Sequence, residues 1–142
     1  GQLIVVSTAN GFGNEFYDSD EELIYACADA LREEYQAIID AGLMLQLDDP
    51  AIAENWDMIN PAPTVEEYRR FSMARVEALN HAIRGLPQDR IRFHLCWGSW
   101  HGPHTTDIPM QDIVGVMLAI NAGAYSFEAM CGTSMNGRCG RA

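Results

Sequence analysis

Apolar residues recur along the chain in two rhythms, one of period two or unbroken, the other helical. Leu3 to Val6 forms a short apolar run of the kind found in buried strands. Asn10-Gly11 and Gly13-Asn14 are turn dipeptides. Ser19-Asp20-Glu21-Glu22 has the form of a capping box, with Ser19 as N-cap. Behind it Ile24, Cys27, Leu31, Tyr35 and Ile38 recur at helical spacing, which predicts a helix to about Ala41 with Gly42 just past its end. Cys27 falls on that apolar face and is expected to be a small core residue. Leu43 to Leu47 predicts a second strand, and a helical turn is expected around Ile52 to Trp56, before Pro61 and Pro63. Thr64-Val65-Glu66-Glu67 is a second capping box, and Val65, Tyr68, Ser72, Arg75/Val76, Leu79 and Ile83 line one face of the helix that follows, with Gly85 at its end. Ile91 to Trp97 predicts a third strand, residues from about Pro109 to Asn121 a third helix, and Ala124 to Ala129 a further strand.

Strands therefore alternate with helices, the pattern of a parallel α/β sheet built from βαβ units. A complete (β/α)8 barrel takes about 250 residues. This chain has 142. It holds material for three or four strands, so the expected fold is a partial barrel. Two bare sheet edges and one uncovered face predict that copies associate, as a homodimer or a larger homo-oligomer.

Composition narrows the functional classes. Twenty acidic residues oppose nine cations, all of them arginine, for a net charge of −11. Nucleic acid is not an expected partner, because its phosphates demand cationic stripes. No apolar run approaches the roughly 20 residues that span a bilayer, so no membrane partner is expected, and nothing in the opening residues reads as a signal peptide. Cys27, Cys96, Cys131 and Cys139 lack the dense spacing of a disulfide scaffold. Reduced thiols and a cytoplasmic location are expected.

The chemistry gathers at predicted strand ends. Side chains two apart on a strand share a face. In the third strand Ile91, Phe93, Leu95 and Trp97 form the apolar set, while His94 and Cys96 lie opposite. An imidazole and a thiol in that arrangement make half of a zinc site; ordinary packing is the alternative. Gln46 and Asp48 share a face on one neighbouring strand, Ser126 and Glu128 on another. Parallel sheets collect functional groups at their carboxyl ends, and here those ends offer Asp48, His94, Cys96 and Glu128. The alternative for the two carboxylates is a helix start or a solvated loop. The loop Trp97-Gly98-Ser99-Trp100-His101-Gly102-Pro103-His104 adds two histidines that suit metal ligation or acid/base work, or that lie in water as ordinary loop residues. His81, on a helix, reads as structural or solvated.

These motifs resemble the cobalamin-independent methionine synthase family. Leu45-Gln46-Leu47-Asp48-Asp49-Pro50-Ala51 is similar to its Asp-Glu-Pro-Ala segment, and His94-Leu95-Cys96 to its His-x-Cys zinc motif. Ala30 to Tyr35, Cys96 to His104 and Ala124 to Ala129 are similar to segments of short, single-barrel relatives. The resemblance runs over residues 17–129, with 1–16 poorly matched. It implies a barrel with Zn2+ at its C-terminal mouth, a methyl transfer to a zinc-bound thiol, and a small-molecule substrate. It implies His94, Cys96 and Glu128 as metal ligands, with a further cysteine ligand beyond residue 142. It implies that Asp48 holds the amino group of a homocysteine-like substrate. If methyl transfer is lost, a three-ligand zinc site is expected to hydrolyse activated esters such as phosphotriesters. His101 or His104 would then serve as acid/base or replacement ligand, and Trp97 and Trp100 as an apolar wall. The alternative is a zinc-binding or oligomeric module without catalysis.

Residues 130–142 depart from that resemblance. Codons exist for Met130 to Arg141 that, read one nucleotide out of frame, encode Asn-Val-Arg-His-Glu-His-Glu-Trp-Gln-Val-Trp-Glu, which is similar to the family's next segment. An out-of-frame tail is therefore expected. The encoding DNA tests it: codons that do not permit the shifted reading exclude the idea.

Overall fold

The computed structural model describes residues 3–7, 20–97 and 105–127. Strand β1 (Leu3–Ser7) is followed by helix α1 (Asp20–Asp40), β2 (Met44–Asp48), α2 (Ala51–Met58), α3 (Val65–Ala82), β3 (Ile91–Leu95), α4 (Met110–Leu118) and β4 (Ala124–Phe127). The capping box expected at Ser19 and the tail over 130–142 lie outside the described residues.

Local chemistry sets these boundaries. Asp20, Glu21 and Glu22 place negative charge in the first turn of α1, where the helix dipole favours it. At its other end Leu43 N–H donates to the Ile38 carbonyl at 3.2 Å and Gly42 N–H to that of Ile39 at 2.9 Å. This Schellman closure needs a left-handed residue, and Gly42 supplies φ +77°. At α3 the Thr64 hydroxyl accepts from Glu67 N–H at 3.2 Å, and Glu67 Oε2 accepts from Thr64 N–H at 2.8 Å. The capping box read from the sequence is thus formed.

The four strands are all parallel and lie in the order β1-β2-β3-β4. Neighbours in sequence are neighbours in the sheet, with a helix in each described crossover. Crossovers of one hand put their helices on one face, and α3 packs against both α1 and α4. Leu45, Leu47, Ile91, Phe93 and Leu95 project into this helical layer and are 0–1% exposed. Tyr68 crosses the layer, donating its hydroxyl to the Ile52 carbonyl at 2.9 Å. Gly123 closes the approach to β4: a side chain there would run into the backbone at Gln88, while its N–H donates to the Ile91 carbonyl at 3.1 Å.

The structure corrects some expectations. Cys27 is exposed rather than a core residue. The buried stripe of α1 runs through Ala28, Tyr35 and Ile38, and Cys27 stands at its margin. The turn around Ile52 is a full helix of eight residues. Helix α4 ends at Leu118, short of Asn121, and β3 ends at Leu95, short of Trp97. Trp97 is 6% exposed in the helix-side core, its Nε1 donating to the Ile108 carbonyl at 3.5 Å, so it does not wall the opposite face. Among the described residues no helix is long and apolar enough to cross a membrane.

Candidate metal centre

The sheet has a second face, and its composition is different. Alternation sends Gln46 and Asp48 of β2, and Arg92 and His94 of β3, away from the helices. The register pairs them across strands: Gln46 stands beside Arg92, and Asp48 beside His94, which in turn stands beside Ser126 of β4. Two polar rows result. In the lower one Arg92 Nε donates to Gln46 Oε1 at 2.6 Å. In the upper one His94 Nδ1 and Ser126 Oγ are 3.0 Å apart.

Cys96 continues the upper row, two residues beyond His94 and just past the end of β3. One ligand atom each from Asp48, His94 and Cys96 lies within 4.8 Å of the others, and all three residues are half-buried. Among the described residues, Asp48 Oδ1 is buried with no hydrogen-bond partner. A buried carboxylate oxygen without a partner is costly, and a cation among these three groups would satisfy it. The donor set of carboxylate oxygen, imidazole nitrogen and thiolate sulfur is one that Zn2+ accepts. With Nδ1 engaged by Ser126, Nε2 is the imidazole nitrogen left for a metal, and such a second hydrogen bond is how metal-binding histidines are commonly oriented.

The neighbouring carboxylate does something else. Asp49 is 7% exposed, and its Oδ1 accepts from Ala51 N–H at 3.1 Å at the start of α2. Burial pushes its carboxyl up to about 6, against the pull of the Ala51 N–H and the Arg75 guanidinium. The helix-start role that the sequence left open for Asp48 thus falls to Asp49.

His81 is structural: its Nε2 lies 2.7 Å from Asp29 Oδ1, and its ring meets Tyr25 edge-on, tying α3 to α1. His101, His104, Glu128, Cys131 and Cys139 lie outside the described residues. The structure therefore brings together His94, Cys96 and Asp48. Arg92 was not singled out from the sequence, although the same alternation that pairs His94 with Cys96 places it two residues earlier on that face.

Comparison with known proteins points in one direction. The chain is 24% identical over 103 residues to the methionine synthase of Saccharolobus islandicus (strain L.S.2.15 / Lassen #1), covering 70% of this chain and 27% of that protein. It is 25% identical over 103 residues to the methionine synthase of Saccharolobus solfataricus. It is 29% identical over 91 residues to that of Thermococcus kodakarensis, covering 62% of this chain and 22% of that protein. The chain thus spans about a quarter of the length of the curated relatives it matches. No family model matches it, and no solved structure matches it.

Proposed function

We propose that this chain is a zinc-binding piece of a methionine synthase-like barrel, with His94, Cys96 and Asp48 as metal donors. The observation that carries the reading is the convergence of their ligand atoms within 4.8 Å at the carboxyl ends of adjacent parallel strands. The similarity to methionine synthases supports it from a separate direction. Glu128 is the donor that the resemblance adds to this set.

Zinc, when bound, lowers the pKa of a thiol or water it carries and polarises a carbonyl or phosphoryl oxygen. The chain's own residues do the rest. Ser126 orients the His94 ring. The apolar layer of Leu47, Phe93 and Leu95 behind the sheet holds β2 and β3 in the register that sets Asp48 beside His94. Methyl transfer belongs to relatives about four times as long as the stretch they share with this chain. For this stretch we propose the simpler reaction, hydrolysis of activated esters. Phosphotriesters suit it because they carry no charge to be repelled by a chain of net charge −11. His101 and His104 are the proposed acid/base groups.

A second reading is a zinc-binding, oligomeric module without turnover. The polar, part-exposed sheet face and the outer edges of β1 and β4 favour it.

Zinc content per chain tests the first reading. Purified protein is expected to hold near-stoichiometric zinc that Cys96→Ala abolishes. Zinc-free protein after incubation with the metal overturns it. Ester turnover lost on chelation and restored by zinc separates the enzyme from the inert module.

A further inference from the structure

Arg92 and Asp48 share one face of the sheet and do not pair. Gln46 stands beside Arg92, and Asp48 beside His94, so Asp48 and Arg92 are diagonal neighbours on adjacent strands. Strand spacing and rise put such diagonal backbone positions about 8 Å apart, within reach of a long side chain. Each group has reason to close the gap. Asp48 Oδ1 is buried with no hydrogen-bond partner among the described residues. Arg92 is half-buried, and no carboxylate among the described residues pairs with it. Elsewhere in the chain Arg69, Arg70 and Arg84 each approach a carboxylate within 3.5 Å. Away from bulk water the attraction between unlike charges is stronger still.

Gln46 is what stands between them. Its Oε1 accepts from Arg92 Nε at 2.6 Å. A guanidinium only donates, so the amide presents its oxygen there. Gln46 is 9% exposed, and its neighbours in the sheet hold the amide at that level. The bond draws the guanidinium across to β2 one row below Asp48. A neutral amide thus satisfies the cation and leaves the carboxylate unoccupied.

We propose that Gln46 is a positioning residue of the metal centre: it tethers Arg92 in the lower row and so reserves the Asp48 carboxylate for the metal. Untethered, Arg92 closes onto Asp48 and competes with the metal for it. A guanidinium stays charged at every working pH, so the competition is constant and the tether is what relieves it. The inference rests on the zinc reading above and adds the pair that governs access to one of its donors.

The test measures zinc affinity of the full chain by competition with a chromophoric chelator, with thermal melts in excess chelator to confirm folding. Gln46→Met removes the acceptor at similar length, and zinc affinity is expected to fall about tenfold, as losses of outer groups around a metal do. Gln46→Glu keeps an acceptor for Arg92 and should bind zinc at least as tightly as the unaltered chain. Arg92→Met removes the competitor, so it should not weaken zinc binding, and combined with Gln46→Met it should restore the lost affinity. That restoration separates tethering from packing, because a packing defect at Gln46 would survive the loss of Arg92. Unchanged affinity in Gln46→Met, a loss in Gln46→Glu, or a double variant as weak as Gln46→Met each overturn the proposal. If Gln46→Met does not fold, Arg92→Met decides: weaker zinc binding overturns the proposal, and unchanged or tighter binding upholds it. All these outcomes leave the zinc reading standing. A chain that takes no zinc overturns both.

Discussion

Asp48 and Asp49 are consecutive carboxylates with opposite tasks. Asp49 turns toward the start of α2 and accepts the Ala51 N–H, whereas Asp48 keeps a buried oxygen without a described partner beside His94 and Cys96. Their substitutions should therefore dissociate. Asp49→Ala removes a buried acceptor and is expected to cost about 1–3 kcal/mol of stability, with zinc affinity little changed. Asp48→Ala removes an unsatisfied oxygen, so metal-free protein should melt no lower than the unaltered chain, while zinc affinity falls at least about tenfold, as losses of metal-site groups do. Thermal melts in chelator, paired with zinc titrations, check both arms. An Asp48→Ala protein that binds zinc as well as the parent would remove Asp48 from the donor set.

The helices expose a different kind of control, in which charge at element ends matters more than burial. The Thr64 hydrogen bonds hold the Glu67 carboxyl below its ordinary range, and a hydrogen bond from His81 does the same for Asp29 on α1. A depressed carboxylate stabilises the fold above its unfolded-state pKa and loses that contribution as pH falls through the folded value. The start of α3 and the α1–α3 contact should accordingly loosen as pH drops below about 4, the carboxylate range. Hydrogen exchange along α3 measures this; protection unchanged between pH 6 and pH 3 would show that neither contact contributes. Phe93→Ala, by contrast, should cost about 3–5 kcal/mol at any pH, since it empties a core position between β3 and the helices. Much at this scale was legible in the sequence, because capping boxes and terminal glycines are local signals: Thr64, Glu67 and Gly42 do what their spacing implied. The alternation of β3 likewise placed His94 and Cys96 opposite Phe93 and Leu95. Other features were set by contacts distant in sequence. Asn80 of α3 accepts from Asn121 N–H at 2.8 Å and donates to the Ala119 carbonyl at 2.9 Å, drawing the chain out of α4 before the apolar pattern ends. The meeting of Asp48 with His94 depends on strand register across about 46 residues, which no periodicity encodes.

At the scale of the molecule, the sheet carries a helical layer on one face, a polar face on the other, and a terminal strand at each side. Parallel strands joined by one-handed crossovers curl the sheet toward a barrel, and eight strands close one. The described strands number four. Two copies related by an axis along such a barrel would supply eight, β4 of each pairing with β1 of the other, so that the outer edges of both terminal strands are satisfied by one isologous arrangement. The same operation would put both sets of Asp48, His94 and Cys96 at one mouth, because all strands run in one direction. We therefore expect sedimentation at low micromolar concentration to give a species of twice the 15.8 kDa chain mass. Ala124→Pro, which removes an N–H from the outer side of β4, since Gly123 N–H turns inward to the Ile91 carbonyl and such groups alternate along a strand, should shift it toward monomer. Zinc affinity should fall with it, since the strand that carries Ser126 would lose its outer partner. A stable monomer that binds zinc fully would contradict the paired half-barrel and place the whole metal centre within a single copy.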